Sequence, residues 1–336
     1  MSLDHYAVAP GVGVAVGGHP TARAHFRAEY GSALVHTTSG APTPVHVHVH
    51  FATRLPRGPA RGGHKTVRWA VQLGHPDARP LEARLVLAGA PRRFALSLVQ
   101  GFVIEPLVSL VAAEAGHVLL PAAALEHLDG AVVVMGRSRS GKTSVVARAV
   151  AGGQATWGDD QVLLDAEATV RSWPRRLRVY PDLRHTAPSA FATLPRAERV
   201  RLRRLAVLSA ASGGWIAPSL PLPLRDLGQT APPGPAPARR LVLVERGGSA
   251  SGLLVTPLPE REVVDQAAEV LREQRARLCG VLDPGWAPLL ARTEEGERVL
   301  LRGALAAVPA ERWTVPRSWT APVAVAALAD RLGVPR

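Results

Sequence analysis

One stretch of the sequence, residues 131–149 (AVVVMGRSRSGKTSVVARA), constrains the fold more than any other. It opens with a run of apolar residues, 131–135, with the length and composition of a buried parallel strand. The next residues, 136–143, read GRSRSGKT and match the phosphate-binding loop (P-loop) pattern G-x-x-x-x-G-K-[ST]. Residues 144–150 can continue as a helix. The order of strand, glycine-bounded loop and helix therefore predicts an α/β fold with a phosphate site here.

Phosphate binding requires these residue types at this spacing. Gly136 and Gly141 permit backbone turns that a side chain would block, so that successive N–H groups face one concavity. The helix predicted to begin at Thr143 directs the positive end of its dipole at the same place. Lys142 can reach the β- and γ-phosphates of a nucleotide, and the Thr143 hydroxyl can ligate Mg²⁺. The predicted cofactor-binding residues are Gly136, Arg137, Ser138, Arg139, Ser140, Gly141, Lys142, Thr143 and Ser144.

The scarcity of lysine makes an accidental match to this pattern improbable. Lys65 and Lys142 are the only lysines in a chain with a large excess of arginine. The alternative interpretation is a surface turn rich in glycine and serine, and we favour the phosphate site over it. Arg137 and Arg139 make the loop bulkier than many loops of this type.

Length and charge limit the broad class of protein. At 336 residues the chain is long enough for two domains. Its formal net charge is +13, carried almost entirely by arginine. Such a charge can indicate nucleic-acid binding, but the arginines are scattered rather than grouped with aromatic residues. We therefore favour a general bias towards arginine and expect no nucleic-acid partner.

Several features predict a soluble, cytoplasmic protein that does not enter a membrane. Cys279 is the only cysteine, which excludes an internal disulfide and fits a reducing compartment. The N-terminus has neither a basic region nor a long apolar core, so it does not resemble a signal peptide. The most apolar segment, residues 102–115, is interrupted by Glu105, Pro106 and Glu114.

Residues 1–115 are predicted to form a β-rich N-terminal domain that selects a partner or assembles the protein. Strands are predicted at residues 45–51, 66–73 and 84–87, where apolar and polar residues alternate. His46, His48 and His50 would share one face of the first of these strands. Three aligned imidazoles can bind a transition metal, but we favour a solvated strand face because no carboxylate or cysteine follows at ligand spacing.

Residues 116–336 are predicted to form the P-loop domain with C-terminal helices. The expected helices are residues 101–116 near the boundary, 194–209 and 259–278. The expected strands are residues 118–125, 154–157 and 162–165, a pair at 241–246 and 252–257, and a segment at 298–302. Residues 231–238 (APPGPAPA) are predicted to form a loop.

Two adjacent aspartates follow the P-loop unit at a strand edge. Asp159 and Asp160 could form a polar turn, but phosphotransferases need acids at this position. One can hold Mg²⁺ and the other can accept a proton from the attacking hydroxyl, and the two roles could be exchanged. Further along, residues 173–184 (WPRRLRVYPDLR) are predicted to form an arginine-rich loop over an anionic ligand. Arg178 is the candidate for stabilising charge on the transferring phosphoryl group, although a solvent-facing arginine remains an alternative.

These motifs resemble the catalytic domain of HPr serine kinase/phosphorylase and the related HPr-kinase-like proteins. That family has a P-loop of the form G-x-S-G-x-G-K-S followed, about one helix and one strand later, by paired aspartates. Residues 177–182 (LRVYPD) are similar to an LRLWPD segment of the related group, and residues 241–247 and 256–258 resemble its closing strands. The resemblance covers residues 118–275. Here Arg139 stands where the family has glycine, Ser144 where it has glutamate, and Pro121 replaces a histidine.

The resemblance implies a P-loop kinase domain related in architecture to phosphoenolpyruvate carboxykinase, with ATP and Mg²⁺ as cofactors. It implies an ATP-dependent phosphotransferase whose acceptor is a Ser or Thr of a small protein or peptide. Catalytic roles are expected for Lys142, Asp159, Asp160 and Arg178, and metal binding for Thr143, Asp159 and Asp160. The alternatives are a non-catalytic nucleotide-binding scaffold, a small-molecule kinase and a nucleic-acid-dependent ATPase. A homo-oligomer is compatible with these expectations.

Overall fold

A computed structural model of the chain describes residues 2–35, 43–58, 60–215, 217–248 and 251–335. The structure is mixed α/β and divides into two compact units. The first unit comprises Met1–Leu119 and Val264–Gly303, and the second comprises Leu120–Val263 and Ala304–Arg336. The three divisions fall within strand β8 (His117–Leu120), helix α8 (Glu260–Cys279) and helix α9 (Ala287–Leu305).

A mixed sheet forms the centre of the first unit, with strand order β3-β1-β2-β4-β7-β6-β5. The pairs β2–β4 and β4–β7 are parallel, and the other pairs are antiparallel. The three predicted strands of this region are confirmed as β4, β6 and β7, because their alternating apolar residues lie on the buried face. The strands are β1 Asp4–Ala9, β2 Val12–Gly18, β3 Leu34–Val35, β4 Val45–Phe51, β5 Ala60–His64, β6 Val67–Leu73 and β7 Leu81–Ala88.

The helices of the first unit include one long apolar segment. Its parts are α2 (Arg92–Val99), a π-helical turn (Gln100–Ile104) and α3 (Glu105–Ala112). The prediction that this helix begins at residue 101 was wrong, since Arg92, Arg93 and Ser97 obscure the apolar pattern of its first turns. The other helices are α1 Pro20–Tyr30, 3₁₀ turns Gly31–Ala33 and Pro284–Trp286, and α9 Ala287–Leu305, which ends just past the division.

The segment Arg92–Ala112 is the one helix in the described part of the chain with the length and hydropathy of a membrane span. Its most apolar window is 72% buried inside the structure. Buried core helices of soluble proteins share this length and composition, so this helix is weak evidence for a membrane span.

The second unit is also built on a mixed sheet. Six of its strands follow the order β11-β9-β10-β16-β13-β12. In addition, β18 pairs in parallel with residues 241–246 of β16, and β17 pairs antiparallel with β18. A separate pair is formed by β14 (Leu177–Val179) and β15 (Leu220–Leu222). The main-sheet strands are β9 Ala122–His127, β10 Gly130–Gly136, β11 Thr156–Gly158, β12 Val162–Asp165, β13 Thr169–Ser172, β16 Ala236–Arg246, β17 Leu254–Pro257 and β18 Ala310–Val315.

Helices pack on this sheet through aliphatic side chains. Val145 and Val146 of one helix and Val325 and Leu328 of another share a buried cluster with the central strands. Strand β10 pairs in parallel with β16 and antiparallel with β9, and all seven of its residues are buried, as expected for a central strand. The helices are α4 Lys142–Ala151, α5 Leu183–Thr186, α6 Pro188–Thr193, α7 Arg196–Ala211, a 3₁₀ turn Leu224–Leu227 and α10 Ala321–Arg331.

Three predicted strand features differ from the structure. Residues 118–125 form two strands, β8 and β9, separated by Pro121, which has no N–H to donate to a sheet. Residues 298–302 lie inside α9 rather than in a strand, because their apolar run continues a helical pattern. The predicted pair of strands at 241–246 and 252–257 is not formed, since β18 lies between β16 and β17 and pairs with both.

The predicted domain boundary at residues 115–116 lies near the first division, but the chain crosses between the units more than once. Val264–Gly303, assigned from sequence to the P-loop domain, packs in the first unit. There the Thr293 hydroxyl donates to the Leu110 carbonyl at 3.3 Å, and Arg292 pairs with Asp77 at 2.8 Å.

Candidate functional site

The turn between β10 and α4 has the backbone geometry that its glycines predict. Gly141 precedes the first residue of α4 with φ +101°, in the left-handed region that favours glycine. A Cβ added there would also lie 3.2 Å from Val325 Cγ2. At Gly136 an added Cβ would lie 2.7 Å from the Val244 carbonyl oxygen. Glycine is therefore required at both ends of the loop, and α4 begins at Lys142, one residue before the predicted start.

The Lys142 ammonium lies within the loop. Its Nζ donates to the carbonyl of Gly136, to the carbonyl of Arg137 at 3.3 Å and to Ser140 Oγ at 3.4 Å. Burial lowers the pKa of Lys142, and the negative charges of Asp160 and Asp159 act in the opposite direction. The side chain is thus positioned at the N-terminus of α4, beside the partial positive charge of the helix.

Arg139 has an unusual backbone for its residue type. Its φ is +69°, which is uncommon for residues other than glycine. It is exposed, as are Arg137 and Ser138. Position 139 therefore has a backbone conformation typical of glycine while carrying a cationic side chain.

The two aspartates have different surroundings. Asp159 is 4% exposed and accepts a hydrogen bond from Thr143 Oγ1 at 3.2 Å. Burial and then the charge of Asp160 raise the pKa of Asp159 to about 7, against the lowering effects of Arg175, Thr143 and Arg178. The Asp160 side chain is 40% exposed, and its Oδ2 lies 3.7 Å from Arg175 Nη1. Asp159 is thus held beneath the loop, whereas Asp160 faces outward.

A cavity of about 1020 Å³ opens over the P-loop, and the residues that line it all belong to the second unit. One wall is the loop and the start of α4, from Ser138 to Ser144, and Asp160 stands beside it. The opposite walls come from the chain around β14 and α5, from the last turns of α7 and from the start of α10. Small-molecule sites commonly occupy up to about 1,000 Å³, so the cavity has room for a nucleotide and part of a second substrate.

The arginine-rich segment contributes to this cavity in a more ordered form than the predicted loop. Arg178 lies on β14 and lines the cavity. Tyr180, which follows β14 and is 45% exposed, also lines it. Burial raises the pKa of Tyr180, and Asp160 adds to that effect. The prediction of a loop across residues 173–184 was therefore wrong in part, because it includes β14 and α5.

Sequence reasoning missed two residues of the site. Arg175 is the ion-pair partner of Asp160, but nothing distinguishes it within the run of arginines in the sequence. Thr186 shares a hydrogen bond of 2.9 Å with Ser144, joining their hydroxyl oxygens across 42 positions of sequence. A contact at that separation has no local signal, so only the fold could reveal it.

The oxygen atoms beneath the loop suit a hard cation. The Thr143 hydroxyl, the Asp159 carboxylate and the neighbouring Asp160 are of the kind that Mg²⁺ binds together with phosphate oxygens. Burial and the neighbouring Asp160 raise the pKa of Asp159 more than Arg175 and Arg178 lower it, and a bound cation would add compensating positive charge there.

A separate metal cluster is not found in the described residues. They contain no group of three or more His, Cys, Asp and Glu side chains arranged to hold a metal. His46, His48 and His50 share one half-buried face of β4, and burial lowers the pKa of His46 and His48.

Comparison with family models and with curated protein sequences gives no match to this chain. Its function must therefore be inferred from the chemistry of the site.

Proposed function

We propose that the protein is an ATP- and Mg²⁺-dependent phosphotransferase that moves the γ-phosphoryl group of ATP to a hydroxyl group. The acceptor in this proposal is a Ser or Thr of a small protein or peptide. One observation carries the proposal: Lys142, Thr143 and the aspartate pair converge at the N-terminus of α4, at the wall of a large cavity. A nucleotide triphosphate has the charge and size that such a site would accept.

The proposal gives the loop and α4 the role of holding the phosphates. Backbone N–H groups between Gly136 and Thr143 would donate to phosphate oxygens, with the helix dipole adding a favourable field. Lys142 would exchange its hydrogen bonds to loop carbonyls for bonds to the β- and γ-phosphates. Arg139 and Arg178 line the same cavity and would supply further positive charge.

The different surroundings of the aspartates suggest how to divide their roles. Asp159, hydrogen-bonded to Thr143, would bind the metal with that hydroxyl. When bound, Mg²⁺ would neutralise phosphate charge that develops in the transfer. Asp160, at the cavity wall, would accept the proton of the acceptor hydroxyl. The oxygen of that hydroxyl would at the same time form a bond to the γ-phosphorus. The bond from that phosphorus to the bridging oxygen would break, and ADP would leave.

We further propose that the second unit is a P-loop kinase domain of the HPr-kinase-like type, related in architecture to phosphoenolpyruvate carboxykinase. The proposal draws on the P-loop, the aspartate pair and the LRVYPD segment. The substitutions at Arg139 and Ser144 favour an acceptor other than HPr, because both residues line the cavity. Ser144 shares a hydrogen bond with Thr186, and a glutamate at position 144 would lose this bond between hydroxyl groups.

Replacing Lys142 with alanine tests the proposal. We expect Lys142→Ala to abolish phosphoryl transfer from γ-labelled ATP and to weaken binding of a fluorescent ATP analogue at least about tenfold, because a charge-assisted bond to phosphate is lost. The chain provides a matched control in Lys65→Ala, which removes its only other lysine, in the first unit. Circular dichroism would establish that both variants are folded.

Incubation with γ-labelled ATP and a mixture of proteins, peptides and sugars as acceptors decides between the proposed kinase and its rivals. Labelling of a protein or peptide supports the proposal, and labelling of a sugar alone would identify a small-molecule kinase. Nucleotide binding with no labelled product would identify a regulatory scaffold. Transfer that persists in Lys142→Ala would contradict the assignment of the site.

A further inference from the structure

Helix α7 presents an unusual combination of residues to solvent. It contains five arginines and one glutamate within 16 residues. Val200, Val207 and Leu208 are 37%, 70% and 45% exposed, and Trp215, just beyond the helix, is 60% exposed. We call these four residues, with Arg204, the α7 surface. Exposed apolar side chains that are grouped, rather than scattered singly, indicate a surface that contacts another molecule.

The helix beneath this surface is anchored. Leu202 is 1% exposed and belongs to the core of the second unit. The guanidinium of Arg203 lies 5.9 Å from the centre of the Phe191 ring, on the preceding helix. The apolar residues of the α7 surface are therefore exposed on an element that the core holds in place.

The α7 surface is continuous with the candidate active site. Ala206, Ser209 and Ala210 line the cavity, at the spacing of one helical face. Val207 follows Ala206 and lies three residues before Ala210, so at about 100° per residue it adjoins the cavity-lining face, and Leu208 lies further round the helix on the exposed side. A ligand that covers the α7 surface can therefore extend into the cavity.

The charge around this surface favours an acidic ligand. Arg196, Arg199, Arg203 and Arg204 lie along the helix, while the single glutamate, Glu198, pairs with Arg201 at 2.7 Å. Arg204 is exposed and stands one helical turn after Val200 and one turn before Leu208. Positive charge thus flanks aliphatic side chains on both sides.

We propose that the α7 surface docks an acidic, amphipathic segment of the peptide or protein that accepts the phosphoryl group. This inference rests on the proposed function. Carboxylates of the segment pair with Arg204 and its neighbouring arginines, and one or two of its aliphatic or aromatic side chains cover Val207, Leu208 and Trp215. The segment holds the acceptor while its hydroxyl enters the cavity beside Asp160.

A peptide fits this surface better than a nucleic acid or a membrane does. Nucleic-acid platforms combine positive charge with several stacking aromatics, and the α7 surface has one aromatic residue and three aliphatic ones. A membrane-bound helix presents a broad apolar face, whereas here arginine interrupts the apolar residues and the adjoining face lines a cavity. A docking segment uses both the mixed character and the connection to the cavity.

Fluorescence anisotropy with a defined set of peptides tests the proposal. The probe is a labelled peptide of alternating Glu and Leu with one Ser, and two matched peptides replace every Glu by Lys or every Leu by Ser. We expect Arg204→Glu and Leu208→Asp each to raise the dissociation constant of the Glu/Leu peptide at least about tenfold. Arg57→Glu, which makes the same charge change on an exposed arginine of the first unit, should leave it unchanged.

Binding of a fluorescent ATP analogue is measured on the same samples, so that failure of docking and failure of the proposed function can be told apart. Loss of peptide binding with retained nucleotide binding in Arg204→Glu and Leu208→Asp supports the proposal. Equal binding of the Glu and Lys peptides, or equal binding by all variants, overturns it. Binding of single-stranded RNA or anionic lipid vesicles through these residues, without the acidic peptide, also overturns it. A wild-type protein that binds the peptide but no ATP refutes the proposed function and leaves a docking surface without a kinase.

Discussion

The two adjacent aspartates show how neighbouring residues of one type acquire different properties. The sequence places Asp159 and Asp160 after a P-loop unit, and it does not distinguish their roles. In the structure one carboxylate is buried against the Thr143 hydroxyl and the other is 40% exposed beside Arg175. Burial separates them, because removing a carboxylate from water raises its pKa. Their presence could thus be predicted from sequence, but the difference between them depends on the packing of distant residues.

The raised pKa of Asp159 predicts a pH-dependent penalty in the metal-free protein. Its value rises from 3.8 to about 7 in the folded state. The folded protein therefore binds more protons than the unfolded chain between these values, and stability from this group falls as pH rises through about 7. Between pH 5 and pH 8, we expect the free energy of unfolding of the wild type to fall by at least about 1 kcal/mol more than that of Asp159→Asn. The measurement is urea unfolding without Mg²⁺ or nucleotide.

The control for that measurement is Asp129→Asn, which changes an exposed carboxylate paired with Arg239. Its pH dependence should match that of wild type. Parallel stability curves for wild type and Asp159→Asn would show that the carboxylate is not buried as the structure describes.

At the scale of elements, local patterns predicted those parts of the fold that local chemistry determines. The β10–loop–α4 unit follows from an apolar run, two glycines and a helix, and β12 was predicted with its observed limits. The predicted pairing of β16 with β17 was wrong, because β18, more than 50 residues further along the chain, lies between them in the sheet. Strand order depends on such distant partners, which no local pattern encodes.

For one substitution in the loop between β10 and α4, we expect a small effect on stability and a large effect on nucleotide binding. Arg139→Gly relieves a left-handed backbone but adds freedom to the unfolded chain, so the free energy of unfolding should change by less than about 1 kcal/mol. Loss of the guanidinium from the cavity should raise the dissociation constant of Mg-ATP about tenfold, measured by calorimetry.

Arg137→Ala serves as the comparison, since it removes the same charge two positions earlier, from a residue that does not line the cavity. It should weaken binding less than Arg139→Gly does. Equal losses in the two variants would mean that general electrostatic attraction, rather than the position of Arg139, determines affinity.

At the scale of the whole molecule, the sequence predicted two regions but not the route of the chain between them. Val264–Gly303 returns to the first unit, where α9 contacts the buried helix α3 through Thr293 and Leu110. Its partly polar amphipathic pattern indicates a helix and carries no information about which core it covers. A cytoplasmic location and a homo-oligomeric state remain predictions.

This route predicts that a fragment cut at the sequence-based boundary will not fold. A fragment of residues 1–115 lacks α9, and every residue of α3 is buried in the intact chain. We expect the fragment to aggregate or to unfold without a cooperative thermal transition, because its most apolar helix would face water. Co-expression with residues 260–305 should restore soluble protein. A cooperative transition in the fragment alone would show that the first unit does not need its C-terminal segment.

The interrupted first unit also has a consequence during translation. The ribosome delivers Met1–Leu119 first, yet the residues that complete this unit end at Gly303, after most of the second unit has been synthesised. Until Val264–Gly303 has been synthesised, the side of α3 that α9 contacts therefore stays uncovered while the second unit emerges. Chaperones that bind exposed apolar segments would have their longest opportunity on this chain at that stage.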